Sequence, residues 1–92
     1  MIRSFKHRGL KRLYERDDRS GIRTDLVEAV EDILARLDEA DTPQALNLPG
    51  YRLHPLKGDL KGFWSVTVRA NWRIVFRFEN VDVFDVEMID YH

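Results

Sequence analysis

The residues with the clearest capacity for chemistry are His54, Lys57, Arg69, Arg73, Tyr91 and His92. An imidazole gives or takes a proton near neutral pH because its unperturbed pKa is about 6.5. Lysine and arginine can hold phosphate charge. The chain has no cysteine, so thiol nucleophiles, thiolate metal sites and disulfides are excluded. His7, His54 and His92 lack the paired spacing of a metal motif, and neither metal nor cofactor is expected. Gly58 and Gly62 do not form a phosphate loop with its lysine and hydroxyl partners. No Ser-His-Asp arrangement is recognisable.

RNA cleavage fits this inventory. RNA carries its own nucleophile, the 2′-OH, so no metal-bound water is needed. The protein must take the 2′-OH proton, neutralise charge on the phosphoryl oxygens and protonate the 5′-oxygen that leaves. Two proton-transfer groups with Lys and Arg can do this, each acid or base supplying about 10²- to 10⁴-fold. The same residues also have plain explanations. A lone strand histidine is more often a surface or core residue, and a terminal Tyr-His more often a frayed end. His7 belongs to a strand–helix junction and carries no role here.

Charge is unevenly distributed, although the formal net charge is only -1. Residues 1–14 contain no acid, residues 15–41 are strongly acidic, and the tail from Glu79 is acidic again. Between them, Arg52, Lys57, Lys61, Arg69, Arg73 and Arg77 face the single acid Asp59. A near-neutral total can hide a basic surface of the kind that binds phosphate, or simply solvated strand faces.

The 92 residues suffice for one domain, and no segment is an apolar run long enough for a signal peptide or a membrane helix. A soluble, cytoplasmic protein is expected. Ile2 to Phe5 reads as a short first strand, followed by a helix carrying Leu10, Leu13 and Tyr14 and broken by Asp17 to Gly21. A second helix starts near Thr24 or Asp25, either of which could be the N-cap. Its stripe of Leu26, Ala29, Val30, Ile33, Leu34 and Leu37 should pack on a sheet. Thr42-Pro43 suggests a further helical turn.

From Tyr51 the hydrophobic period changes to two. Tyr51 to Leu56 is an edge-strand candidate because of Pro55. Trp64, Val66 and Val68 face one way; Ser65, Thr67 and Arg69 face the other. Ala70-Asn71 fits a tight hairpin. Trp72, Ile74, Phe76 and Phe78 then oppose Arg73, Val75 and Arg77, and Val83 to Ile89 is the last strand. Both tryptophans have core parity, and Arg77 is placed to pair with the acidic tail. The predicted fold is α+β, helices covering one face of an antiparallel meander. Arg69 and Arg73 share the parity of the open face, a plausible bed for RNA.

Four blocks together are distinctive: Ile2 to Leu10, Arg52-Leu53-His54-Pro55-Leu56-Lys57-Gly58-Asp59, Trp64 to Arg73, and the terminal Asp90-Tyr91-His92. In this order they resemble the HigB toxins of the RelE superfamily of ribosome-dependent mRNA endonucleases. The resemblance implies a RelE-like microbial ribonuclease fold over residues 1–92, with an N-terminal strand and two helices on the sheet. It implies cleavage of mRNA in the A site of the 70S ribosome. It also implies a HigA-like helix-turn-helix antitoxin through which alone the toxin would meet operator DNA. His54, Asp90, Tyr91 and His92 match the family's catalytic positions, and Lys57, Arg69 and Arg73 match its basic positions that hold substrate or transition-state charge.

Overall fold

The computed structural model describes residues 1–91; His92 lies outside the described residues. Helix α1 spans Arg8–Arg16 and α2 spans Val27–Glu39. Strands β1 (His54–Pro55), β2 (Phe63–Arg69), β3 (Trp72–Glu79) and β4 (Asp82–Asp90) follow. They form one antiparallel sheet in sequence order, with β1 at one edge. Short 3₁₀ turns occupy Thr24–Leu26, Pro43–Leu46 and Gly58–Leu60. The α+β class and the meander agree with the sequence reading.

The helices cover one sheet face because their apolar stripes match its buried alternation. Val30, Ile33 and Leu37 of α2 meet Val66 of β2, Ile74 and Phe76 of β3, and Val86 of β4 in one core cluster. Each of these is at most 1 % exposed. Trp64 and Trp72 pack against the same cluster, as their parity requires.

Helix α1 is stopped at both ends by identifiable groups. His7 is its N-cap, and Nδ1 accepts the Leu10 N–H at 3.1 Å. Burial lowers the His7 pKa, which favours the neutral imidazole needed to accept that bond. At the other end Asp17 turns left-handed (φ 56°), and the Asp17 and Asp18 N–H groups bond back to Leu13 and Arg12. The following loop lies tightly on α1: a Cβ on Gly9 would collide with the Gly21 carbonyl.

Three expectations change. The first segment makes only two parallel bridges to β4, Ile2 with Val83 and Phe5 with Val86. A bulge separates them, where Asp85 adopts φ 56°. Ser4 Oγ accepts the Asp85 N–H at 2.8 Å, and Arg77 Nε donates to its carboxylate at 2.8 Å. The ladder therefore cannot run through. Second, neither Thr24 nor Asp25 caps α2. Thr24 lies within a 3₁₀ turn, and Arg23 holds the Asp25 carboxylate through Nε and Nη2 at 2.7 and 2.6 Å. Third, β1 is shorter than Tyr51 to Leu56 and covers only His54–Pro55, because Arg52 interrupts the extended backbone with φ 52°.

One polar junction ties the N-terminal segment, α1 and α2 together. Asp38 Oδ1 accepts from the Ile2 N–H at 3.0 Å and from Tyr14 OH at 2.5 Å. Burial opposes ionisation of Asp38, but these two donors together with the N-terminal charge more than offset it and hold its carboxyl below the usual range. The Tyr14 hydroxyl is pushed up to about 12, first by burial and then by the bond to Asp38. A depressed carboxylate pKa contributes stability at neutral pH that is lost as pH falls through the folded value. Tyr14→Phe should therefore destabilise the fold by about 1–2 kcal/mol at pH 7 in urea unfolding. The difference from wild type should shrink below the carboxylate range, where Asp38 is neutral in both proteins.

Candidate active site

The sheet face away from the helices carries an open cleft of about 510 Å³. Its residues come from four stretches of chain. Arg52, His54, Leu56, Lys57 and Leu60 line it from β1 and the segments on either side of it. Ser65 and Thr67 enter from β2, Arg73 and Val75 from β3, and Ile89 and Tyr91 from the end of β4. Directly opposed residues of neighbouring strands share a face. One such row runs His54, Ser65, Val75, and another runs Thr67, Arg73, Ile89. The floor is closed: Ser65 is 8 % and Val75 4 % exposed. His54, Lys57 and Tyr91 stand exposed above it.

The cleft thus gathers His54, Lys57, Arg73 and Tyr91 from positions far apart in sequence. Arg73 is fixed without using up its charge. Its Nη1 donates to the Ala70 carbonyl at 2.7 Å and the Trp72 carbonyl at 3.2 Å, and its guanidinium lies 5.8 Å from the Tyr91 ring centroid. Tyr91 is held in turn by its N–H, which donates to the Asn71 carbonyl at 2.7 Å. The hairpin therefore positions the guanidinium and the phenol together.

Several arginines outside this cleft are neutralised by carboxylates. Arg3, Arg12, Arg19, Arg23, Arg69 and Arg77 each pair with a carboxylate. Among the described residues, no such pair involves Arg52, Lys57 or Arg73. Three cations with no described carboxylate partner around a concavity floored by Ser65 and Val75 make a site for a polyanion. Arg77 pairs with Asp85 and Glu79, in line with the expected pairing to the acidic tail.

Two residues expected at the site are directed elsewhere. Arg69 does not share the face of Arg73. The β2–β3 register shifts between Thr67 and Arg69, so that Arg69 opposes Trp72, a core-side residue. There Arg69 Nη1 lies 3.6 Å from Asp25 Oδ2. The Asp25 carboxyl is lowered to about 2, first by its hydrogen bond from Arg23, with Arg69 a smaller contributor. Strict alternation fails at the bulge, which simple parity counting cannot foresee. Asp90 also opposes Trp72, so β4 places Asp90 and Ile89 on opposite faces. Its charge acts on Arg23, whose pKa is raised chiefly by Asp25 and in smaller part by Asp90. His92, the remaining expected member, lies outside the described residues.

Other lining residues carry no role on sequence grounds. Ser65, Thr67 and Val75 have the parity of the open face, so their presence is legible. Thr67 Oγ1 is buried without a hydrogen-bond partner. Arg52 is a greater surprise. It is a non-glycine residue in left-handed backbone, which costs about 1–2 kcal/mol.

Residues 3–92 match the family described as the RelE-like toxin of type II toxin-antitoxin system HigB. Endoribonuclease HigB of Proteus vulgaris is 50 % identical over 92 residues, covering 100 % of both chains. Among solved structures, the YoeB/ParE toxin from Agrobacterium tumefaciens superposes with a TM-score of 0.64 at 21 % identity, covering 100 % of this chain and 99 % of that one. A chain of the YoeB-YefM complex from Staphylococcus aureus gives 0.63 at 16 % identity, covering 100 % and 95 %. These two likenesses concern the fold. The full-length match to the family and the half-identical relative go further: this chain belongs to the HigB-like, RelE-like toxins of type II toxin–antitoxin systems.

Proposed function

We propose that this toxin is an endoribonuclease that cuts mRNA in the ribosomal A site by acid–base catalysis. The observation that carries the reading is the convergence of His54, Lys57, Arg73 and Tyr91 on one open cleft whose cations have no described carboxylate partner. The Proteus vulgaris relative named as an endoribonuclease supports the activity. Ribosome dependence follows from the HigB resemblance, and so does a HigA-like antitoxin as partner. Its place of action is then the cytoplasm; no described helix is long and apolar enough to cross a membrane.

In the proposed reaction a base takes the 2′-OH proton and the 2′-oxygen attacks the adjacent phosphorus. The bond to the 5′-oxygen breaks, and an acid protonates that oxygen as it leaves. The products are a 2′,3′-cyclic phosphate and a 5′-hydroxyl end. His54 and His92 share the two proton transfers across the scissile phosphate. Lys57 and Arg73 stabilise the charge that grows on the phosphoryl oxygens. Tyr91, stacked beneath Arg73, positions the RNA or donates to the phosphate. Asp90 is a positioning residue that orients a neighbour or the substrate.

Cleavage by purified protein on ribosomes programmed with a defined mRNA tests these roles. His54→Ala should lower the single-turnover rate by about 10²- to 10⁴-fold. Deleting His92 should do the same while leaving the urea midpoint unchanged. A His54→Ala protein that cleaves at near wild-type rate sinks the acid–base assignment. One that stops cleaving but still arrests growth through ribosome binding points to a binding module instead.

The arginines should separate. Arg73→Ala should cost about 10²-fold in rate, as loss of one preorganised donor to a transition state does. Arg69→Ala removes an exposed ion pair on the other face and should cost less than about threefold. Equal losses would contradict the division set by the bulge.

A further inference from the structure

We propose that Arg52 is a further substrate-binding residue of the cleft, turned by a strained bulge toward an RNA phosphate next to the scissile one. The proposal rests on the endoribonuclease reading and adds a contact to it.

The bulge is visible in the pairing of β1 with β2. Tyr51 accepts the Thr67 N–H at 2.7 Å, and His54 opposes Ser65. From Thr67 to Ser65 is two steps along β2, whereas from Tyr51 to His54 is three steps along the opposing chain. One residue is therefore extra on the β1 side. Arg52 stands in this interval with φ 52°. Bulges of this kind favour glycine at the left-handed position, because a Cβ is penalised there. An arginine kept at such a place stands against local backbone preference, and strain of this sort collects at functional sites.

What the strain achieves is visible on the cleft side. Arg52 lines the cleft together with His54 and Arg73. It is exposed and joins no described ion pair, whereas the arginines outside the cleft that carry similar exposure are mostly tied to carboxylates. Lys57 and Arg73 already supply charge for the reacting phosphate. Arg52 enters from β1's upstream end, beside Thr67, and extends the positive rim past His54. A second phosphodiester of a single-stranded chain is the ligand chemistry that fits a guanidinium at that place.

The test uses Arg52→Gly, which removes the charge and supplies the residue that the bulge prefers. Single-turnover cleavage on programmed ribosomes is measured against toxin concentration at several monovalent salt concentrations. Thermal unfolding of the same proteins is followed in parallel. The half-saturating concentration should rise about tenfold while the limiting rate changes less than about threefold. The salt slope of the half-saturating concentration should fall by about 0.7, one single-strand phosphate contact. The unfolding midpoint should be no lower than wild type, and Arg52→Lys should restore the slope. An unchanged slope and half-saturating concentration would overturn the proposal, as would a midpoint lowered enough to account for the loss. Wild-type protein that cuts neither ribosome-bound nor free RNA would overturn the endoribonuclease reading and this contact with it.

Discussion

Burial of a single face of the sheet sets the positions of the other parts. Ile74 and Phe76 of β3 have no exposed surface and meet Val66 and Val86 of the neighbouring strands beneath α2. A slip of one residue would turn this whole row to solvent, so the register is strongly fixed. Arg73 and Val75 are then forced onto the opposite face, and the cleft is the consequence. Its floor and Arg73 occupy alternate positions of the strands that build the core. The segments flanking β1 add Arg52 and Lys57 to the rim.

Bulges modify this rule at a few places, and each has a local chemical counterpart. At Asp85 the break in β4 is filled by Ser4 and Arg77. Between Thr67 and Arg69 it sends an arginine to the helix side, where Asp25 meets it. At Arg52 the displaced side chain faces the cleft and has no described carboxylate partner. The protein therefore sorts its arginines by backbone geometry as well as by sequence position. Net charge says little about such a surface. At -1 overall, the chain keeps its acids on the helices, turns, last strand and the end of β3, and several of them neutralise arginines outside the cleft.

Much of this was legible from residue types and spacing. The alternation in Trp64 to Val68 and Trp72 to Phe78 placed the tryptophans, Val75 and Arg73 on their observed faces. Pro55 marked β1 as an edge, and His7 at the strand–helix junction became a cap. The failures share a cause. Arg69 joins Arg73 by strand parity and Asp90 joins Tyr91 through the family resemblance, but pairing with Trp72 decides their side. Asp25 has the type of an N-cap, but the neighbouring Arg23 competes for its carboxylate and wins with two charge-assisted bonds. Competition between local preferences and tertiary partners is not readable from spacing. His54, Lys57 and Tyr91 could be singled out as chemistry-bearing types, but their common cleft required the fold.

Under the proposed function this cleft cuts translated mRNA. The most direct measurement maps mRNA 5′ ends after brief induction of the toxin, with and without a co-expressed helix-turn-helix antitoxin. New 5′-hydroxyl ends should appear at defined positions of the reading frame within translated regions and be suppressed by the antitoxin. Cuts scattered equally over untranslated RNA, or growth arrest with no new ends, would contradict it.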